Sequence, residues 1–183
     1  MKTYVLGLIV IVVVLVMPVI LLYNGLVRTR NLTQNAWAQF EVQLKRRYDL
    51  ISNLVETVRG YAAYEKMVLE NVTRARAIAT EAQSMDQRIQ AENMLTGALK
   101  TLYAVAENYP QLKASKDFNQ LKKELSDTES KIAFARQFYN DTIIKYNNKI
   151  QVFPSNLLAG AMGFKHIPSF EVADNIGQPA SIN

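Results

Sequence analysis

Residues Tyr4 to Leu22 read YVLGLIVIVVVLVMPVILL, and no charged side chain occurs between Thr3 and Val27. About 20 apolar residues in helical form cross a hydrocarbon core of about 30 Å. A helix of a soluble domain normally turns one face to water, so apolarity on every face points to lipid. Tyr4 and Tyr23 mark the two ends, where amphipathic rings favour the interface. Arg28 and Arg30 follow directly and can reach headgroups as ordinary anchor flanks. A cleaved signal peptide is the rival reading, with Lys2 as its charged start. However, the run exceeds the usual apolar length of about 7–15 residues and no A-x-A site follows it. We therefore expect an uncleaved anchor bounded by Tyr4, Leu22, Tyr23, Arg28 and Arg30. Pro18 removes one backbone donor and can kink the helix, which is tolerated near the end of a membrane span.

The remainder of the 183-residue chain suits one domain. Seven glycines and five prolines leave few breakers, which favours long helices. The absence of cysteine excludes disulfides and thiol chemistry. A single histidine, His166, excludes paired-histidine zinc sites and, elsewhere in the chain, Ser-His-Asp arrangements. The formal charge of +5 comes from 21 basic and 16 acidic residues that are interspersed, as in Lys122-Lys123-Glu124. That pattern describes solvated helix faces rather than a nucleic-acid footprint.

Working outward, Trp37, Leu44, Ile51 and Val58 recur every seven residues. Phe40, Leu54, Tyr61 and Val68 form a second row, and Tyr48, Val55, Ala62 and Leu69 a third. The stripe predicts one helix from about Asn31 to about Ala82, with Gly60 its only weak point. Ser84-Met85-Asp86-Gln87 has the form of a capping box. A second helix is expected to follow it, with Ala91, Leu95, Ala98, Leu102 and Val105 on one face, ending at Tyr109-Pro110. A third, from about Ser115 to Ile150, carries the seam Phe118, Leu121, Leu125, Thr128, Ile132, Ala135, Tyr139, Thr142, Tyr146. After Phe153-Pro154, Ser155 is expected to cap a short helix from Asn156 to Met162, closed by Gly163. Beyond Phe164 there is no periodicity, and an extended or loosely held tail is expected. The fold class is all-α: an N-terminal transmembrane helix and a long antiparallel bundle of three long helices and one short. The expected division is anchor and flank 1–27, bundle 28–163 and tail 164–183.

Several of these stretches resemble one family. The run Tyr23-Asn24-Gly25-Leu26-Val27-Arg28-Thr29-Arg30-Asn31 is followed by Ala36-Trp37 and then by VQLKRRYDLISNLVETV, Val42 to Val58, with Gly60-Tyr61-Ala62 and Glu65. Later come Tyr109-Pro110-Gln111-Leu112-Lys113, Glu129, Arg136, Tyr139-Asn140, Tyr146-Asn147, Phe153-Pro154-Ser155-Asn156 and Gly163-Phe164-Lys165. Together these resemble the LemA family of bacterial membrane-anchored helical proteins over roughly Tyr23 to Phe170. Two departures stand out. Ser52 takes the place where the family usually has proline, which implies a straighter first helix here, and the tail lacks the family's closing strand-like stretch. The resemblance implies helical bundles on a membrane or lipid anchor and supplies no catalytic residue. Family genes often sit near membrane proteases or related envelope proteins, so the resemblance implies envelope maintenance by association.

Among polar clusters, Lys45-Arg46-Arg47-Tyr48-Asp49 is the densest. It reads first as a solvated face with Arg47 paired to a neighbouring carboxylate, and second as a helix–helix or subunit contact, because a guanidinium fork fixes register. Glu65 reads as a paired seam residue. Tyr139 and Tyr146 read as core, with Asn140 and Asn147 as crosslinking amides. Glu41, Glu65, Glu129 and Asp141 do not make a di-iron set. No catalytic residue, metal or cofactor is expected.

The functional expectation is a non-enzymatic scaffold of the bacterial cytoplasmic membrane, single-pass, with its helical domain outside the cytoplasm. The alternative is an adaptor or regulator of a membrane protease or sensor. Expected partners are the lipid bilayer, further copies of the chain in a homo-oligomer, and a second membrane protein in the alternative reading; nucleic acid is not among them. The candidate oligomer interface is Trp37, Phe40, Arg46, Arg47 and Asp49. The anchor is checked by alkaline carbonate extraction of membranes: the protein is expected to stay in the pellet, and release into the supernatant counts against the span.

Overall fold

The computed structural model describes residues 2–168, and all regular structure among them is helical. The elements are α1 (Lys2–Tyr61), α2 (Lys66–Glu81), α3 (Met85–Ala106), α4 (Pro110–Lys113), α5 (Lys116–Gln151) and α6 (Ser155–Ala161). The all-α expectation holds, with an apolar N-terminal helix and a helical bundle. The tail expected beyond residue 168 lies outside the described residues.

The largest difference from the sequence reading concerns α1. The anchor and the first amphipathic helix are one uninterrupted helix of 60 residues that contains Pro18. It passes Ser52 without a break, and the Ser52 hydroxyl donates to the Tyr48 carbonyl one turn back at 3.1 Å. The stripe expected to run to Ala82 is instead divided at Ala62–Glu65. Gly60, which lowers helix propensity, precedes the break. The turn closes with Ala62 N donating to Val58 O at 2.8 Å and Glu65 N to Ala62 O at 3.1 Å. α2 then returns antiparallel to α1, as the Arg76 Nε bond to the Tyr48 carbonyl at 2.8 Å shows. Periodicity missed this turn for a physical reason. Both arms present apolar residues to the same core, so the stripe runs on through the bend, and the α2 N-cap Glu65 makes no side-chain capping bond to announce it.

The chain divides into two compact units. The central unit is Trp37–Gln137, and the terminal unit combines Met1–Ala36 with Phe138–Asn183. In the central unit Leu44, Ile51, Leu54, Val58, Val72, Leu95, Leu102 and Leu112 are essentially sealed from solvent. The Ser84–Gln87 capping box is present as read. The buried face of α3 is Ala91, Leu95, Leu99, Leu102 and Ala106, so Leu99 and Ala106 displace Ala98 and Val105 from the expected seam. α3 stops at Ala106, and Pro110 opens the short α4 at its first position, where a missing N–H costs nothing.

In the terminal unit α1 and α5 run antiparallel. The Thr33 hydroxyl sits 3.1 Å from its own helix's Thr29 carbonyl and 3.3 Å from the Thr142 carbonyl of α5. Leu26, Ala36, Ile143 and Tyr146 are sealed between them. Ser155 does not cap α6 as expected: it is the first residue of that helix, and Pro154 holds the N-cap position. Its hydroxyl lies 2.6 Å from the Lys149 carbonyl and 2.8 Å from the Val152 carbonyl. It thereby serves the Lys149 carbonyl at the end of α5, while the Val152 carbonyl also takes the Asn156 N–H at 2.9 Å. Gly163 takes φ 73°, the left-handed turn that closes α6.

Residues 164–168 carry no regular structure, which fits the extended alternative, and they are tethered to α5 rather than loosely held. Tyr146 Oη donates to Lys165 O at 3.0 Å, Asn147 Nδ2 donates to Ile167 O at 2.8 Å, and Ile167 N donates back to Asn147 Oδ1 at 3.1 Å.

Core packing has a direct check. Leu54→Ala is expected to destabilise the fold by about 3 kcal/mol, within the usual range for emptied core sites. Val42→Ala, at an exposed position, is expected to change stability by no more than about 0.5 kcal/mol. Chemical denaturation followed by circular dichroism reads both.

Candidate functional site

The polar cluster read from the sequence becomes a buried node in the central unit. Residues 47 and 48 on α1 face inward, because Leu44, Tyr48, Ile51 and Val55 define the buried stripe and Arg47 borders it. Arg47 is only 4% exposed. Its Nη1 lies 2.6 Å from Glu92 Oε2 on α3, while its Nη2 donates to Thr96 Oγ1 at 3.0 Å and pairs with Glu129 Oε2 on α5 at 3.2 Å. One guanidinium therefore joins three helices, using the planar fork that lysine lacks. The Tyr48 hydroxyl donates to the other Glu92 oxygen at 2.5 Å, with the Ala79 carbonyl of α2 at 3.3 Å as the weaker alternative. Burial, followed by that bond to Glu92, raises the Tyr48 phenol well above its ordinary pKa. Tyr103, beside the node, is also raised, mainly by burial. Arg47, Thr96, Tyr103, Lys122 and Glu129 border a shallow cleft of about 410 Å³.

The solvated-face reading fits Lys45, Arg46 and Asp49, and Arg47 does pair with carboxylates, but Arg47 and Tyr48 are buried rather than solvated. Arg46 and Asp49 are exposed, and Arg46 reaches Glu124 only at 4.0 Å. Arg47 and Tyr48 close the fold, because their polar ends meet carboxylates carried by facing helices. Of the proposed interface, Phe40 and Arg47 lie inside the chain's own packing. Trp37 is half-buried, with its ring 5.6 Å from that of Phe40 and under the Arg88 guanidinium at 5.6 Å. Glu65 does accept a bond, from Tyr109 Oη at 2.9 Å, which raises the Tyr109 phenol.

Glu92, Thr96, Arg76 and Arg88 were not singled out from the sequence. The available signal was weak: Glu92 and Thr96 are four apart on α3, beside the seam residues Ala91 and Leu95. Among the described residues no three acidic or histidine side chains converge as a metal site would require.

In the terminal unit, Tyr4 is 83% exposed, Leu22 is half-buried, and Arg28 and Arg30 are exposed. Tyr23 meets Phe164 edge to face, with ring centroids 6.3 Å apart. Together with Val27, Arg30, Gln34 and Met162, these rings border an open groove of about 530 Å³. The Lys149 side chain lies across Gly25: a Cβ there would sit 2.6 Å from its Nζ.

The signature that resembled LemA proteins thus supplies both Arg47 and Glu129, which the fold brings together. The LemA family model matches residues 36–183. The chain belongs to the LemA family. It is similar to magnetosome protein MamQ 2 of Paramagnetospirillum magneticum, at 26% identity over 87% of this chain and 68% of that protein. It is also similar to protein LemA of Metamycoplasma hominis, at 28% identity over 82% of this chain and 69% of that protein. Among the described residues of this LemA chain, one helix is long and apolar enough to cross a membrane.

The node sets two expectations. Arg47→Met leaves Glu92 without its cation inside the bundle and is expected to cost about 3 kcal/mol. This is the low end for such pairs, since the Glu129 side chain is 56% exposed and partly screened by water. The second expectation concerns alkaline pH. The raised Tyr48 phenol means that the unfolded chain ionises first as pH passes about 10, so its contribution is complete below that value and is lost as pH rises towards the folded value. Tyr48→Phe is expected to flatten that alkaline decline, read by denaturation at stepped pH, while costing about 1 kcal/mol at neutral pH.

Proposed function

We propose that this LemA-family chain is a scaffold of the bacterial cell envelope. It crosses the cytoplasmic membrane once through Tyr4–Leu22 and self-associates through its helices outside the cytoplasm. The carrying observation is the outward face of that segment. Every described side chain from Tyr4 to Leu21 is exposed, and the apolar ones range from 42% for Val19 to 83% for Tyr4. Each large side chain of this kind favours leaving water by about 1.5–3 kcal/mol. Lipid is the environment that meets this demand on all faces.

Self-association is supported by apolar side chains that the central unit leaves in solvent: Val42 at 62% and Phe134 at 74% exposed. Tethering every copy to one plane raises its effective concentration, so modest contacts suffice for assembly. The reading is non-enzymatic. The strongest polar constellation, around Arg47, has its donors and acceptors matched to one another, which suits holding helices rather than turning over a substrate.

The test is the mass of the full chain in mild detergent and in densely loaded nanodiscs. A homo-oligomer is expected, shifted towards monomer by Val42→Glu or Phe134→Glu with helicity unchanged. A monomer under both conditions overturns the scaffold. A different protein at fixed ratio replaces it with the adaptor or regulator of a membrane protease or sensor.

A further inference from the structure

We infer that the segment Val152–Met162, which contains α6, is a second membrane contact. It would lie in the headgroup region beside the anchor instead of facing water. The inference rests on the reading of Tyr4–Leu22 as the span, and the terminal unit alone supplies its geometry.

The first argument is register. α5 runs antiparallel to α1, and the pairs Thr33–Thr142 and Gly25–Lys149 fix their alignment. Continuing that alignment brings the end of α5, Gln151, level with about Tyr23. The chain then passes through α6 and returns to the same level, where Phe164 packs on Tyr23. Both ends of the segment are therefore held at the boundary of the apolar run, one residue beyond Leu22. The loop between them has its place fixed by Lys149 against Gly25 at one end and by Phe164 on Tyr23 at the other.

The second argument is what this loop presents. No charged side chain occurs from Val152 to Phe164, and Lys149 and Lys165 bracket the stretch. Inside α6 the buried side chains are Ser155 and Ala159, both small. Of the large apolar ones in the segment only Leu158 is half-buried; the others are exposed, Val152 by 60%, Phe153 by 75%, Leu157 by 67% and Met162 by 50%. An isolated exposed apolar residue is ordinary, but four within one short segment at the level of a membrane boundary mark a contact surface. The bilayer is the occupant already present at that level, and interfacial elements of this kind sink about 5–10 Å into the headgroup and acyl boundary.

The third argument is charge. Between Tyr23 and Ala36, and between Phe138 and Pro168, the charged residues other than His166 are Arg28, Arg30, Lys145, Lys149 and Lys165 against Asp141 alone. A cationic surround of that kind suits anionic headgroups, whose negative surface potential attracts nearby basic residues.

The absence of native cysteine allows single labels to be placed cleanly. Phe153→Cys, Leu157→Cys, Val14→Cys and Asp141→Cys would each carry an environment-sensitive fluorophore on the full chain. The chain would be held in nanodiscs of mixed zwitterionic and anionic phospholipid containing spin-labelled lipid. Asp141 lies eight residues before Lys149 on α5, about 12 Å further from the boundary at helical rise, and serves as the water-facing reference. Labels at 153 and 157 are expected to lose about half their emission to lipid carrying the spin label high on the acyl chain, the depth of interfacial helices, with the 141 label unaffected. The label at 14 is expected to respond to a deep spin label. If the labels at 153 and 157 respond to an aqueous quencher as the 141 label does, the inference is wrong while the anchor stands. Shielding of 153 and 157 from both quenchers would assign the surface to a second protein copy and also overturn it. Failure of the label at 14 to respond to any lipid quencher would remove the anchor, and the inference with it.

Discussion

The Arg47 guanidinium is the point on which the central unit depends. A cation this deeply enclosed would be costly without compensation, because desolvation of a charge is recovered only through close, well-directed partners. Glu92 and Thr96 come from α3 and Glu129 from α5. The helices that supply them are thereby fixed in rotation as well as in distance. Apolar stripes would let helices slide or rotate by a few tens of degrees with little penalty, whereas a two-pronged ionic contact tolerates neither. Tyr48 ties α1 to Glu92 from the neighbouring position. The Tyr48 carbonyl holds α2 through Arg76.

Helical class, the apolar span, the capping box at Ser84 and the left-handed turn at Gly163 were legible because each rests on local chemistry. Composition over one turn, or one side chain's reach to its own backbone, suffices to specify them. The helix break at Ala62–Glu65 was not legible. A hairpin between two helices that share a core leaves hydrophobic periodicity intact, and no proline or polar cap marks it. The burial of Arg47 was also hidden. In the string Lys45-Arg46-Arg47-Tyr48-Asp49 the charges look alike, and only the arrival of Glu92 and Glu129 from distant segments separates Arg47 from its exposed neighbours. The resemblance to LemA proteins included Arg47 and Glu129 without indicating that they touch. Ser155 was misassigned for a similar reason: a serine at a helix start suggests an N-cap, but here the nearest unmatched groups belong to the preceding helix.

The terminal unit solves a different problem. Its helices part company near the level where Tyr23 follows the apolar run: α1 continues into a stretch suited to lipid, whereas α5 ends at Gln151. Phe153-Pro154 and α6 turn the chain aside there. Phe164 and the paired amide of Asn147 then bring residues 164–168 back along α5. Asn147 presents one donor and one acceptor to Ile167, the same pair that a backbone peptide unit offers, so a side chain takes the part of a neighbouring strand.

The placement of Ser155 carries a consequence for motion. Its hydroxyl reaches the Lys149 carbonyl in the last turn of α5 and the Val152 carbonyl just beyond it, while its backbone begins α6. If the last turn of α5 frays, the hydroxyl loses its acceptors and the start of α6 loses its hold. If α6 loosens, those carbonyls lose their donor. The two helix ends are therefore coupled, and amide exchange across residues 149–161 is expected to follow a single local unfolding event rather than two independent ones.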